Sequence, residues 1–167
     1  MDNDRAEKQI HLVELLQTFS TAMLVTRTAE GTMRARPLTL SDEHDQGRLY
    51  FATSIDSPKV AELEKHQDVL ITLQDSRRYV SVTGTATVTR DPALVNRLWR
   101  ETWKIWFPAG KEDPKLCLLV VTPQEAEYWD QSGLDGIGHW LEMAKAYVKG
   151  TTPESGVSSD TAKIRFP

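Results

Sequence analysis

One cysteine, Cys117, stands in the 167 residues. A lone thiol excludes an intramolecular disulfide framework and a cysteine-based zinc site. Cys117 lies inside the longest purely apolar run, Leu116 to Val121, where it reads as a small buried hydrophobe. That run falls far short of the ~20 residues a membrane helix needs. The opening Met-Asp-Asn-Asp-Arg has neither the basic start nor the apolar stretch of a secretory signal. A soluble, cytoplasmic protein without a membrane partner is expected. Positive charge is not in excess: 20 Lys and Arg face 24 Asp and Glu, for a net charge of −4. Nucleic-acid binding needs a clustered basic surface to release counterions, so no nucleic-acid partner is expected. The four histidines, His11, His44, His66 and His139, form no HxH or HxxxH pair, so no metal is expected. No GxSxG elbow, Walker loop or GxGxxG turn occurs, and Gly133, Gly136 and Gly138 are wrongly spaced for the last.

What is abundant is tryptophan. Four of the five, Trp99, Trp103, Trp106 and Trp129, cluster in the second half of the chain. Around them, the periodicity alternates between helix and strand. Residues 4–18 repeat apolar side chains at helical spacing, with Ile10, Val13 and Leu16 on one face and Leu12 and Leu15 beside them. Asp2 or Asp4 is available to cap that helix. Strands are predicted at 22–26, 32–40, 48–53, 69–73, 79–89, 116–122 and 125–130, with Ala29-Glu30-Gly31 as a hairpin turn. Ser57-Pro58 and Asp91-Pro92 each combine a capping residue with a proline suited to the first helical position. The first of these helices should end near His66 and the second near Trp103. Gly84 interrupts the clearest strand at its centre, which marks a bulge or a close approach by another chain or a ligand. A helix over about 139–148, a mobile stretch over 150–160 and a last short strand at Ile164–Phe166 complete the reading. With no strand–helix–strand alternation, the fold class is mainly β: a six- to seven-stranded antiparallel β-barrel with flanking helices. Residues 1–150 form its domain and 151–167 its tail.

One constellation has chemical content. Arg34 and Arg36 lie two apart on a predicted strand and share a face with Leu38 and Leu40. Downstream, Thr53, Ser57 and Lys59 bracket the turn into a helix. A helix start offers free N–H groups and the positive end of a dipole. Hydroxyls and two cations there suit a phosphate monoester. Residue types alone leave a second reading open, in which Ser57 only caps and the arginines are solvated. The tryptophans are similarly divided. Trp99 and Trp103 form an i,i+4 stripe fit for packing or an interface. Trp106 sits in a loop, and Trp129 at a strand end, where an aromatic can stack on a planar ring.

These segments resemble the general stress protein branch of the pyridoxamine phosphate oxidase-like family, the FMN-binding split β-barrels. The resemblance rests on Arg34-Ala-Arg-Pro-Leu38, on Tyr50-Phe-Ala-Thr53 with Ser57-Pro-Lys59, and on Val82-Thr-Gly84-Thr-Ala86. It continues through Leu98-Trp99, Trp106-Phe-Pro-Ala-Gly110 with Asp113-Pro114, and Ala126-Glu-Tyr-Trp129, in order across about residues 10–150. It implies a homodimer with FMN at the subunit interface. The phosphate would meet Arg36, Thr53, Ser57 and Lys59, and backbone at Pro37, Leu38 and Thr39 would run beside the isoalloxazine ring. Trp106 would cover the flavin from the partner chain. FAD or a deazaflavin are the alternative ligands.

Two departures separate the chain from the oxidases themselves. Pro58 stands where they carry a basic residue before the lysine, and the terminal Lys163-Ile-Arg-Phe-Pro167 lacks their tryptophan-containing substrate segment. No pyridoxamine phosphate oxidase activity is expected, and no catalytic acid or base is identified. The functional readings are an FMN-binding stress protein with oxidoreductase potential, a flavin carrier without turnover, and a ligand-free dimeric barrel.

Overall fold

The computed structural model describes residues 2–43, 47–132 and 160–166. Helix α1 (Asp2–Gln17) leads into strands β1 (Thr21–Arg27), β2 (Met33–Thr39) and β3 (Leu49–Ser54). Helix α2 (Pro58–Lys65) precedes β4 (Asp68–Gln74) and β5 (Arg78–Thr89). Helix α3 (Pro92–Leu98) and two short 3-10 turns, Glu101–Ile105 and Gly110–Glu112, lead to β6 (Leu116–Asp130) and β7 (Asp160–Arg165). The expected helix over 139–148 lies outside the described residues, as does the stretch expected to be mobile, except for Asp160. The last strand begins earlier than its apolar residues indicated.

All pairings are antiparallel, in the order β2-β1-β4-β5-β6-β3, with β7 added on β6. Strand β6 organises this sheet. Leu118–Asp130 pairs with β5, while Leu116–Val121 pairs with β3 and Glu125–Asp130 with β7. The sequence reads as two strands here, but the chain is continuous. Thr83 faces Glu125 and Gly84 faces Pro123, so Gln124 is the extra residue of a bulge. Pro123 breaks the ladder without turning the chain, as proline does at bulges. Gly84 is the other half of this device: a Cβ there would sit 2.2 Å from the Thr122 carbonyl oxygen.

Two apolar clusters sandwich β3 and the first half of β6. Phe51, Cys117, Leu119 and Val121 enter the main core with Leu24, Ile71, Val82 and Tyr128. Tyr50, Leu116 and Leu118 point the other way, onto Val95, Leu98, Trp103 and Phe107. Burial on both faces explains the unbroken apolar run, since alternation appears only when one face meets water.

Helix α1 closes the main core with Leu12, Leu15 and Leu16, and Phe19 just beyond its end joins them. The face predicted from Ile10 and Val13 is rotated from this one, and Ile10 is 59% exposed. Asp4 lies inside the helix and pairs with Lys8 at 2.7 Å instead of capping it. Helix α3 is capped as expected, with the Asp91 carboxylate accepting from Ala93 N–H at 3.1 Å. It ends at Leu98, because Trp99 turns extended (ψ 135°). Trp103 then returns in a 3-10 turn and still meets Trp99 edge-on at 5.7 Å.

Gly84→Ala would place its methyl against backbone that cannot rotate away. The substitution should destabilise the protein by about 3 kcal/mol, the upper end for overpacking. Urea unfolding of the two proteins measures the difference, and an unchanged midpoint would refute the close approach.

Candidate functional site

The sheet does not close. Its two ends, β2 and β3, leave an opening, and a cleft of about 410 Å³ lies there. Pro37, Leu38 and Thr39 of β2 form one wall and Ala52, Thr53 and Ser54 of β3 the other. Trp103, Trp106, Phe107 and Lys115 complete the lining. Four predicted flavin neighbours, Pro37, Leu38, Thr39 and Trp106, therefore come together in one chain, with Thr53 at the same cleft.

The aromatic wall has a local cause. Trp103 and Phe107 are buried in the second cluster and anchor the turn between them. Phe107 N–H donates to the Trp103 carbonyl at 2.9 Å, and Trp106 N–H to the same oxygen at 3.0 Å. Trp106 is left 63% exposed, beside Ile105 at 78%. Below it, Gly110 takes a positive φ of 77°. The buried Asp113 carboxylate accepts from the N–H groups of Ala109 at 3.2 Å and Lys115 at 3.0 Å. The Trp-Phe-Pro-Ala-Gly and Asp-Pro elements are thus one rigid loop. Trp106 lines the cleft of its own chain. Trp129 lies at the other end of β6, paired with Tyr79, and does not line this cleft.

Beside Thr53 is a polar cluster between β2, β3 and α2. Lys59 Nζ donates to Thr53 Oγ1 at 2.9 Å. Burial, and next the Arg36 charge, hold the Lys59 ammonium below its ordinary pKa. Arg36 reaches across β1: its Nη1 donates to Thr26 Oγ1, and its Nη2 to Glu62 Oε2 at 2.8 Å. Thr26 Oγ1 donates to the same carboxylate oxygen at 2.5 Å. Arg34 Nη1 lies 3.5 Å from Glu62 Oε1, so the two arginines do share a face. Cys117 is inert, its thiol donating to the Thr53 carbonyl at 3.4 Å and pushed up to about 11 by burial.

Ser57 departs from the expected cap. It occupies the N-cap position of α2, but its side chain makes no capping bond. Its Oγ is buried with no hydrogen-bond partner among the described residues. A buried hydroxyl without a partner is costly in a core that otherwise satisfies its polar atoms. It stands two residues before Lys59, which reaches Thr53, and its hydroxyl is available to an exogenous acceptor. Glu62, Thr26 and Lys115 were missed by the sequence reading. Glu62 had one legible signal, its i,i+3 spacing from Lys59 on α2. Thr26 had none, since its role depends on which strand lies between β2 and α2.

An open antiparallel sheet with helices on its faces and a cleft at the split defines a split-barrel protein. Residues 7–154 match the model of the family described as pyridoxamine 5'-phosphate oxidase like, and the chain belongs to that family. It is 31% identical over 87 residues to general stress protein 26 of Bacillus subtilis (strain 168), covering 49% of this chain and 61% of that one. The aligned region thus spans less than two thirds of that relative. The crystal structure of a Jannaschia sp. CCS1 protein related to general stress protein 26 superposes with a TM-score of 0.73, covering 96% of this chain and 99% of the other at 24% identity. This likeness establishes the fold. The general stress FMN/FAD binding protein of Xanthomonas citri superposes with a TM-score of 0.66 at 28% identity, covering 77% and 92%. Among the described residues, no helix is long and apolar enough to cross a membrane.

Ser57→Ala separates a capping serine from one held for a ligand. Losing a cap would cost about 1 kcal/mol. Removing an unpartnered buried hydroxyl should instead raise the stability of the ligand-free protein by about 1 kcal/mol. Denaturant titration of ligand-free protein gives the sign.

Proposed function

We propose that the cleft binds FMN, with the phosphate at Ser57, Thr53, Lys59 and Arg36 and the ring along Pro37–Thr39 beside Trp106. The unpartnered Ser57 hydroxyl, two residues before Lys59 at the start of α2, carries this reading, because neither side chain has an anionic hydrogen-bond acceptor of its own. The Xanthomonas citri protein's FMN/FAD binding supports it from outside the chain. A bound flavin supplies reversible electron and hydride transfer, and the protein holds and orients it. The β2 edge offers backbone groups to the ring, and Trp106 offers an aromatic face. Two copies pairing over the exposed Ile105 and Trp106 would enclose the ligand as a homodimer.

The reading is a general stress flavoprotein with oxidoreductase capacity and without pyridoxamine phosphate oxidase activity. The cleft favours a carrier as the second reading, since Lys115 is the one ionisable side chain in its lining. Adding NADH or NADPH to the flavin-loaded protein distinguishes the two: bleaching of the flavin band marks an enzyme, and a stable oxidised spectrum marks a carrier. Tryptophan fluorescence that FMN, FAD and a deazaflavin all leave unquenched would refute the flavin reading itself.

The phosphate assignment makes its own demand. Lys59→Ala should lower FMN affinity ten- to a hundred-fold, the equivalent of about 1.5–3 kcal/mol for a charged hydrogen bond. Riboflavin affinity should stay near that of the parent protein, and an equal loss for both ligands would refute the assignment. The lowered Lys59 pKa adds a pH test. In the free protein the ammonium loses its proton below the ordinary lysine value, whereas a bound phosphate would hold it. The preference for FMN over riboflavin should therefore be full at neutral pH. It should decline as pH rises through the free protein's lowered lysine pKa. Lys59→Arg should remove that decline, and using riboflavin as the reference cancels ionisation of the ring.

A further inference from the structure

Glu62 is a buried carboxylate on the helix that also carries Lys59, close to a site that should favour anions. Its charge opposes a phosphate, so its presence there needs a reason. The geometry points to one, and it rests on the flavin reading above: we propose that Glu62, with Thr26, is the positioning residue that aims Arg36 at the phosphate. Glu62 Oε2 and Thr26 Oγ1 occupy the end-on edge of the guanidinium, one on Nη2 and one on Nη1. Thr26 accepts from Arg36 and donates to Glu62, so the three groups close a triangle. A guanidinium has five N–H donors in a rigid plane. With its end-on edge fixed, the Nε–Nη2 side remains as the paired edge for an acceptor. Arg36 is therefore presented in one orientation rather than swinging on its long side chain.

The arrangement also balances charge. Arg36 is largely buried, and a buried cation without a counter-charge is strongly unfavourable. Glu62 neutralises it while the site is empty, and Lys59 and Arg34 supply the positive excess that a phosphate meets. Arg34 touches the other oxygen of Glu62 and is more than half exposed.

Glu62→Leu removes the anchor. It should lower the FMN-to-riboflavin affinity ratio about tenfold, the lower end for a charged hydrogen bond. Thr26→Val, a near-isosteric change, should lower the ratio in the same direction and tests the triangle if the leucine variant folds poorly. Glu62→Gln keeps a carbonyl oxygen for the Thr26–Arg36 corner and should restore the ratio to near that of the parent. A purely structural role would lower FMN and riboflavin binding together and leave the ratio unchanged, which overturns the proposal. A Gln variant that prefers FMN far more than the parent would also overturn it, by making Glu62 a competitor for Arg36. A direct readout is the Arg36 Nε–H resonance in 15N-labelled parent protein, titrated with FMN and with inorganic phosphate. Both should shift it. If neither does, the aimed guanidinium is refuted. If phosphate shifts it while no flavin binds, the flavin reading fails and the positioning of Arg36 stands.

Discussion

The fold depends on β6 being buried on both faces through its first half. Such a strand must be covered from two sides, and this requires two layers of cover. The main core lies beneath it, and α3 with the 3-10 turns lies above. The upper layer is small, but it fixes Trp103 and Phe107 and so determines where the loop between them stands. The bulge at Gln124 then lets one strand carry two different partners on the same edge, β3 before it and β7 after it. Because β3 ends the sheet there, no strand among the described residues pairs along its outer edge, where the Tyr50 carbonyl accepts only from Ser41 N–H. That edge faces the free edge of β2 across a cleft rather than pairing with it. The open site is thus a consequence of strand topology, and the aromatic loop above it follows from the same two-sided burial.

Electrostatics beside the cleft obey a related limit. Two cations, Arg34 and Arg36, converge on one buried carboxylate, Glu62. A buried ion pair is weak evidence for stability, since desolvation offsets much of the attraction. What the pair does fix is direction. Arg36 crosses β1 to reach α2, and Thr26, fully buried on that strand, relays the contact. Lys59 takes no part in the pair and bonds only a hydroxyl, which leaves its charge for something outside the chain.

Much of this was legible in the residues because the local signals agreed with the global fold. Alternation exposed β5, the cap-plus-proline pairs exposed the starts of α2 and α3, and Gly84 announced the close approach. The anion cluster was legible because Arg36 sat on an apolar face and Ser57 preceded a helix. Other features depended on tertiary context. The buried face of α1 was misread because Ile10 and Leu12 are equally apolar, and only the docking angle decides between them. Helix α3 was drawn too long because Trp99 and Trp103 meet in space although the helix between them has ended. Pro123 was taken as a break between strands, since a proline in a bulge and one in a turn look alike until the partner strand is known. Glu62 was passed over for a similar reason: a glutamate on a short helix is normally solvated, and nothing local says that Arg36 lies across from it.

The strongest argument that this end of the barrel is functional is that it is locally unfavourable. A scaffold selected for stability alone would not bury a hydroxyl without an acceptor at a helix start where a serine normally caps. Nor would it depress a lysine by burial without giving it a carboxylate, when Glu62 lies three residues along the same helix. The unpartnered hydroxyl alone costs about 1–3 kcal/mol, which is large against a total stability of about 5–15 kcal/mol. Under the proposed reading, an acceptor carrying negative charge would meet both groups. Cys117 serves as a control on this reasoning. It is more deeply buried and also shifted, but its thiol has an acceptor in the Thr53 carbonyl and nothing about it calls for a ligand. A buried hydroxyl without a partner and an ammonium that bonds Thr53 Oγ1 stand two residues apart at the start of α2, and Thr53 lines the aromatic cleft. It is this arrangement that the proposed phosphate would use.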